Sequence, residues 1–389
     1  MIPYTDFLYF GISLYALVPA AIFGLLRRFW RTWAALATVF MLVVQYSGIA
    51  KDNAWRLNGL VLVLSYAVAQ WLVAALFLGV RRRGTSRPWF YVSIFLGLLP
   101  LLAAKYASIA GLDYPLVFVG LSYVTFRSLD VLIGIHDGVI TQLDPLRYLV
   151  FLLFFPTISS GPIDRYRRFS EDWSRTRSLE QVLQDMDGGI HRIFTGFLYK
   201  FVLAALIKQY WMDPISQGIG ILPVASYMYA YTFYLFFDFA GYSAFAVGFS
   251  YLLGIRTPEN FNRPFLSRDI RDFWNRWHMS LSFWFRDHIY NRFIFAAIKG
   301  RWFRSNQLAS TVGYLLTMGL MGLWHGTSPH FLVYGLYHGV LLAATAAFDR
   351  AHKGNRLLND PRWPWRLAST LLTFHLIALS LLIFSGHLF

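Results

Sequence analysis

Residues 308–348 read LASTVGYLLTMGLMGLWHGTSPHFLVYGLYHGVLLAATAAF and contain no Asp, Glu, Lys or Arg. Two apolar runs, 308–324 and 329–348, flank the string WHGTSP, where Gly326, Thr327, Ser328 and Pro329 must interrupt a helix. A helix needs roughly 20 mostly apolar residues to cross about 30 Å of hydrocarbon, so each run has the length of a span. The pattern recurs near 6–26, 32–50, 57–80, 89–110, 115–135, 190–211, 223–254 and 366–385. The expected fold class is therefore all-α, a polytopic membrane protein with about ten transmembrane helices. A shorter run, 146–161, leads into FPTISSGP and reads as a re-entrant or partial helix. The first run has no basic leader, because Arg27, Arg28 and Arg31 follow it, and it reads as a span and not as a cleavable signal peptide.

Composition agrees with lipid as the solvent. Of 389 residues, 57% are apolar, 19% aromatic and only 14% charged, against about 25% charged in a soluble domain. The net charge of +15 is too diluted by Trp, Phe and Leu for a nucleic-acid binder, which needs its basic residues on a wet surface. With no cysteine, disulfides, thiolate zinc sites, iron–sulfur clusters and a cysteine nucleophile are excluded.

Charge also orients the chain. If both termini are outside, the loops on the inner side of the cell membrane hold 28 of the 35 basic residues against 14 acidic ones, the asymmetry expected of cytoplasmic loops. The whole of 1–389 reads as one polytopic domain. Two inner stretches are long. Residues 162–189 mix Arg with Asp and Glu and read as a surface helix or loop. In 256–306, Phe273, Trp277, Leu281 and Trp284 recur at helical spacing among Arg and Asp, which predicts an amphipathic aromatic helix at the membrane interface or half-buried under the bundle. No internal repeat is visible, which weakens an inverted-repeat transporter.

Ionisable side chains at membrane depth are functional candidates by default. Among the ten histidines, His278 in NRWHMS and His325 in GLWHGTSPH are the informative ones. His325 ends a span at a helix break, and irregular backbone there requires surrounding protein or a water-filled cavity. It can cap the helix end, or act as a general base, since imidazole titrates near physiological pH. His278 is either an interfacial polar residue or a partner in chemistry. Neither has a second ligand at metal-binding spacing, so no metal site is expected. Ser280 and Ser282 lie outside any G-x-S-x-G turn. Asp130 and Asp238, inside spans, are either paired with a neighbour such as Arg127 or part of a proton relay.

The blocks DFAGYSAFAVGFSYLLGI (238–255), NFNRPFLSRDIRDFWNRWHMSLSFWFRDHIY (260–290) and GLWHGTSPHFLVYGLYHG (322–339), with FFPTISSGPIDRYRRF (154–169) upstream, closely resemble the membrane-bound O-acyltransferase family, and within it the branch that transfers D-alanine. The resemblance is strongest over 151–345. It implies that fold, with a central tunnel, and an O-acyltransferase activity. The histidine of W-H-G, here His325, would be catalytic, and His278 would occupy the family's second site position. The implied donor is D-alanine held as a thioester on the 4'-phosphopantetheine arm of a small acidic cytosolic carrier protein, with no cofactor bound to the chain itself. The implied acceptor is a hydroxyl of teichoic acid or another envelope polymer outside, completed by an outer-side partner protein. Asn275, Trp277 and Trp324 are then candidates for substrate contact, and Arg292 or Arg301 with Ile294 and Phe295 for carrier docking. A sister activity, O-acetylation of alginate or peptidoglycan, would keep His325 and need no carrier, whereas a transporter or channel would need neither.

Overall fold

A computed structural model of the chain describes residues 1–49, 55–56, 58–84, 87–107, 118–216, 218, 220–352 and 363–389. Residues 50, 57, 108–110 and 115–117, which the sequence reading places at span ends, lie outside the described residues. Two compact units emerge, one of Met1–Phe197 with Gly241–Pro258 and the other of Leu198–Ala240 with Glu259–Phe389.

The first unit holds helices α1 (Phe7–Leu25), α2 (Trp30–Tyr46), α3 (Asn58–Arg82), α4 (Arg87–Tyr106), α5 (Leu121–His136), α6 (Pro145–Leu153), α7 (Tyr166–Ser174) and α8 (Leu179–Phe197). A two-residue antiparallel ladder pairs β1 (Gly48–Ile49) with β2 (Trp55–Arg56). Tyr4, fully buried, anchors an aromatic core with Tyr9, Tyr242, Phe245 and Phe249, at ring separations of 5.0–5.6 Å. Its hydroxyl donates to the Pro156 carbonyl at 3.0 Å.

Arg127 is buried in α5 and donates to the carbonyls of Phe151, Leu152 and Thr157. It thereby satisfies backbone groups freed where α6 ends, as apolar surroundings demand. Asp130, on the same helix, takes Arg165 at 2.8 Å and the Tyr166 N–H at 3.1 Å. The carboxylate thus pairs across to α7 through Arg165.

The stretch 162–189 is more ordered than its composition suggests. Arg168 bridges Asp164 and Asp172, and Asp185, buried, receives Arg177 at 3.3 Å and Arg256 at 2.6 Å. Buried carboxylates need such partners. These ion pairs draw α7 and the start of α8, helices where a surface helix or loop is expected, into the unit.

The second unit begins where α8 continues through π-helical turns and the short helices α9 (Ala205–Ile207) and α10 (Asp213–Ile215), giving one helical run of 37 residues, Leu179–Ile215. Helix α11 (Ile221–Leu252) follows and contributes to both units. Beyond it come α12 (Ile270–Trp274), α13 (Met279–Phe285), α14 (Asn291–Lys299), α15 (Asn306–His325), α16 (Pro329–Ala351) and α17 (Trp363–Phe384). Asp238 in α11 pairs with Lys200. A β-carbon on Gly335 would lie 2.2 Å from the Met318 carbonyl oxygen, and one on Gly322 2.3 Å from that of Phe331. Glycine is what lets α15 and α16 approach backbone to backbone.

Among the described residues, seven helices are long and apolar enough to cross a membrane. They coincide with seven of the expected spans. The expected spans at 32–50, 115–135 and 308–324 are helices too, namely α2, α5 and α15. Of these, α2 and α5 are short, at 17 and 16 residues.

The amphipathic aromatic helix expected in 256–306 is not a single helix. It breaks between α12 and α13, and Phe273, Trp277, Leu281 and Trp284 are all buried inside the unit.

Candidate functional site

The break itself builds the site. Asp269 caps α12 by accepting from the Asp272 N–H at 2.8 Å, and the helix ends after one turn at Trp274. The chain then lies against residues 260–262: the Asn262 N–H donates to the Arg276 carbonyl and the Met279 N–H to the Asn260 carbonyl, both at 2.9 Å. The Asn260 side chain accepts from the Ser280 hydroxyl at 2.6 Å. Held in this way, His278 adopts φ 42° and ψ 51°. Left-handed backbone is disfavoured for a residue with a β-carbon, and strain of this kind gathers at functional sites. Ser282 returns a hydrogen bond to the His278 carbonyl at 3.1 Å.

The His278 imidazole is only 4% exposed, its ring sits edge-on against Phe239 at 4.8 Å, and its Nε2 has no hydrogen-bond partner among the described residues. Burial, and secondarily the nearby His325, push its pKa down to about 3, so the ring is neutral at physiological pH.

His325 is the last residue of α15, with Gly326 extended behind it. A β-carbon on Gly326 would meet the Phe331 ring at 2.4 Å, so glycine is required for the chain to turn directly after the histidine. The His325 ring contacts Trp324 at 4.6 Å, Phe384 at 5.0 Å and Tyr334 at 6.0 Å.

Both histidines line one cavity of about 70 Å³, whose other walls include Phe239, Trp274, Trp277 and Tyr334. That holds a few waters, or a reacting acyl group and a hydroxyl. A second cavity of about 180 Å³ is lined by Arg271, Trp274, Asn275, Arg286, Tyr290 and Met318, among others. Trp274 lines both and forms a shared wall. Its indole N–H donates to Nδ1 of His338 at 3.3 Å, and His338 is completely buried.

The structure thus brings His278, His325 and Trp277 together at the smaller cavity and places Asn275 on the larger one. Trp324 is not in the cavity lining and backs the His325 ring instead. Of the expected docking residues, Phe295 on α14 is 77% exposed and Arg301 is exposed. Arg292 and Ile294 are half-buried, with Ile294 packed toward Gly313 of α15. Trp274, Tyr334 and His338 were not singled out from the sequence. Tyr334 and His338 are one helical turn apart, with rings 4.7 Å apart. That i, i+4 pair on an apolar helix was their only local signal.

Two imidazoles in one small cavity, separated by a tryptophan wall from a larger cavity bearing Asn and Arg, suit acid–base chemistry on a small group. Comparison with known proteins points the same way. The model of the membrane-bound O-acyltransferase family matches residues 121–385, which includes both histidines. A teichoic acid D-alanyltransferase of Bacillus subtilis is 40% identical across 99% of this chain and 98% of its own length. One from Lacticaseibacillus rhamnosus is 39% identical, over 99% and 97%. A probable alginate O-acetylase of Pseudomonas aeruginosa is 30% identical, over 85% of this chain and 64% of that protein. The paired histidines, the helix break that holds one of them and the sequence shared over nearly the full length make this chain a multi-pass membrane protein of the membrane-bound O-acyltransferase family.

Proposed function

We propose that the chain transfers D-alanine from a carrier-protein phosphopantetheine thioester, on the inner side of the cell membrane, towards hydroxyls of teichoic acid outside. The observation that carries this reading is the joint presence of His278 and His325 in one small cavity of a chain 40% identical, end to end, to a teichoic acid D-alanyltransferase.

In this mechanism His325 removes the proton from the acceptor hydroxyl as its oxygen attacks the thioester carbonyl carbon. Neutral His278, which carries one N–H, donates to the oxyanion that develops. The tetrahedral intermediate collapses with cleavage of the C–S bond, the proton passes from His325 to the departing thiolate, and ester and free pantetheine thiol are the products. Asn275 and Arg271 line the approach of the pantetheine arm, with Trp274 and Trp277 enclosing its reactive end. A tunnel pinched at the two histidines would let a donor on one face meet an acceptor on the other. The carrier is acidic, and the inner loops, with 28 basic against 14 acidic residues, would steer it. Exposed Phe295 and Arg301 offer it an apolar and a charged contact. An outer-side partner protein would bring the polymer to this site in the cell, while the chemical step itself needs only this chain. Both termini lie outside in this orientation.

O-acetylation of a polysaccharide is the second reading, favoured by the 30% identity to an alginate O-acetylase. The two are separated by offering the purified protein radiolabelled D-alanyl carrier protein or labelled acetyl-CoA with a poly(glycerol phosphate) acceptor. Label on the acceptor from the carrier alone is the expected result. Label from acetyl-CoA alone would establish the second reading in its place.

The low pKa of His278 has a measurable consequence. With its folded value near 3 and an unfolded value near 6.5, the unfolded chain takes up the proton first as pH falls. The stability linked to this residue is complete above about pH 6.5 and declines towards pH 3. His278→Asn, which tolerates left-handed backbone, should flatten this acid decline in the melting temperature. It should also lower the transfer rate. An acid decline in melting temperature that is unchanged by the substitution would show that burial of neutral His278 is not its source.

A further inference from the structure

Away from the histidines, the second unit carries a groove of about 780 Å³ between α16 and α17, larger than both cavities described above. Its lining is graded along the helices. Arg268, Asp349, Trp365 and Arg366 gather where α16 finishes and α17 begins, while Leu341 and Leu376 lie at the other end. Arg366 and Leu376 are ten residues apart on α17, which is about 15 Å at 1.5 Å per residue. Both helices have the length and apolarity of membrane spans.

The acidic side chains of the groove are already engaged. Asp349 pairs with Arg271 at 3.0 Å, and Asp269 caps α12. Arg268 and Arg366 are exposed, and among the described residues neither guanidinium has an ion-pair partner. Two uncompensated cations therefore stand at the polar end of an apolar trough, beside a tryptophan of the kind that settles at the membrane–water interface.

We propose that this groove seats one anionic phospholipid, with its phosphate between Arg268 and Arg366 and an acyl chain running along Leu341, Leu372 and Leu376. Charge complementarity selects the occupant. A zwitterionic lipid would bring a positive choline to the same two guanidiniums, and a soluble glycerol phosphate would leave the apolar length unfilled. The trough and the polar end together ask for one amphiphile of negative charge, drawn from the leaflet that meets the basic face.

The test is lipid exchange on the purified full-length protein in detergent, read by native mass spectrometry. Phosphatidylglycerol is titrated against phosphatidylcholine, and glycerol 3-phosphate serves as the soluble competitor. Wild type is expected to retain phosphatidylglycerol about thirtyfold more strongly, which is about 2 kcal/mol for the two arginines at roughly 1.4 kcal/mol per tenfold. The doubly substituted R268A/R366A protein should lose that preference with its melting temperature unchanged, because both side chains are exposed. Ala344→Trp, which fills the trough and leaves both arginines in place, should reduce retention of either lipid at the site. Equal retention of the two lipids by wild type, a preference that survives in R268A/R366A, or displacement by millimolar glycerol 3-phosphate would each overturn the proposal.

Discussion

His325→Ala should abolish transfer while the protein folds and binds its donor as before. General-base assistance is typically worth about a hundredfold to ten-thousandfold, and the loss is expected in that range. The reasoning is local. His325 is half-buried at the end of α15, and no helix continues through it. Removal of the ring therefore opens the roughly 70 Å³ cavity without breaking a helical hydrogen bond beyond it. Carrier binding, proposed at Phe295 and Arg301 on a different part of the second unit, should be unchanged. Rapid-quench measurement of thioester consumption, with carrier affinity and melting temperature recorded in parallel, separates these effects. A variant that loses carrier affinity and melts early would show that His325 serves the fold, as a helix-end cap would.

Gly335→Ala should be nearly as damaging to activity, for a different reason. The added methyl carbon would lie 2.2 Å from the Met318 carbonyl oxygen and 3.2 Å from the Gly322 α-carbon. Both are backbone atoms with no rotamer to escape to, so α15 and α16 must separate. Overpacking of this kind costs about 1–3 kcal/mol. His325 lies one turn beyond Gly322 on the displaced helix, and a shift of about 1 Å at a reacting group can cost about a hundredfold in rate. Gly319→Ala provides the matched control, since its β-carbon meets Leu336 at an ordinary 3.5 Å and alanine is the better helix former. It should melt at the same temperature or higher and keep full activity. If the two substitutions behave alike, close approach of α15 and α16 is not what places His325.

The unequal legibility of fold and site in the sequence has a physical cause. Spans can be read because each is a local property of some 20 residues in one solvent, and the seven apolar helices fall where hydropathy puts them. The break at His278 could not be read, because it is imposed from outside the segment by Asn260 and Asn262. The aromatic spacing of Phe273, Trp277, Leu281 and Trp284 fits an unbroken helix equally well.

The contacts that order 162–189 reach Arg256, whose backbone N–H donates to Asp172 and whose guanidinium pairs with Asp185, 84 and 71 residues away. Composition alone makes that stretch look like a solvated loop. At the site, His325 stood out through the glycines and proline around it, whereas Trp274 and His338 meet across 64 residues of chain. Their pairing is a tertiary fact with no trace in spacing. Trp324, adjacent to His325 in sequence, packs against its ring and does not line the cavity, as successive residues on a helix point about 100° apart.

The central claim, that a thioester presented on the basic face reacts with a hydroxyl reached from the other side at the two histidines, is tested most directly by sidedness. Proteoliposomes that hold the protein in a single orientation, with poly(glycerol phosphate) enclosed, are supplied externally with carrier protein bearing radiolabelled D-alanine. The account predicts that label appears on the enclosed polymer with wild-type protein when the basic loops face outward, and that none appears with His325→Ala. Label that stays outside the vesicles with wild-type protein, or that reaches the enclosed polymer with His325→Ala, would contradict it.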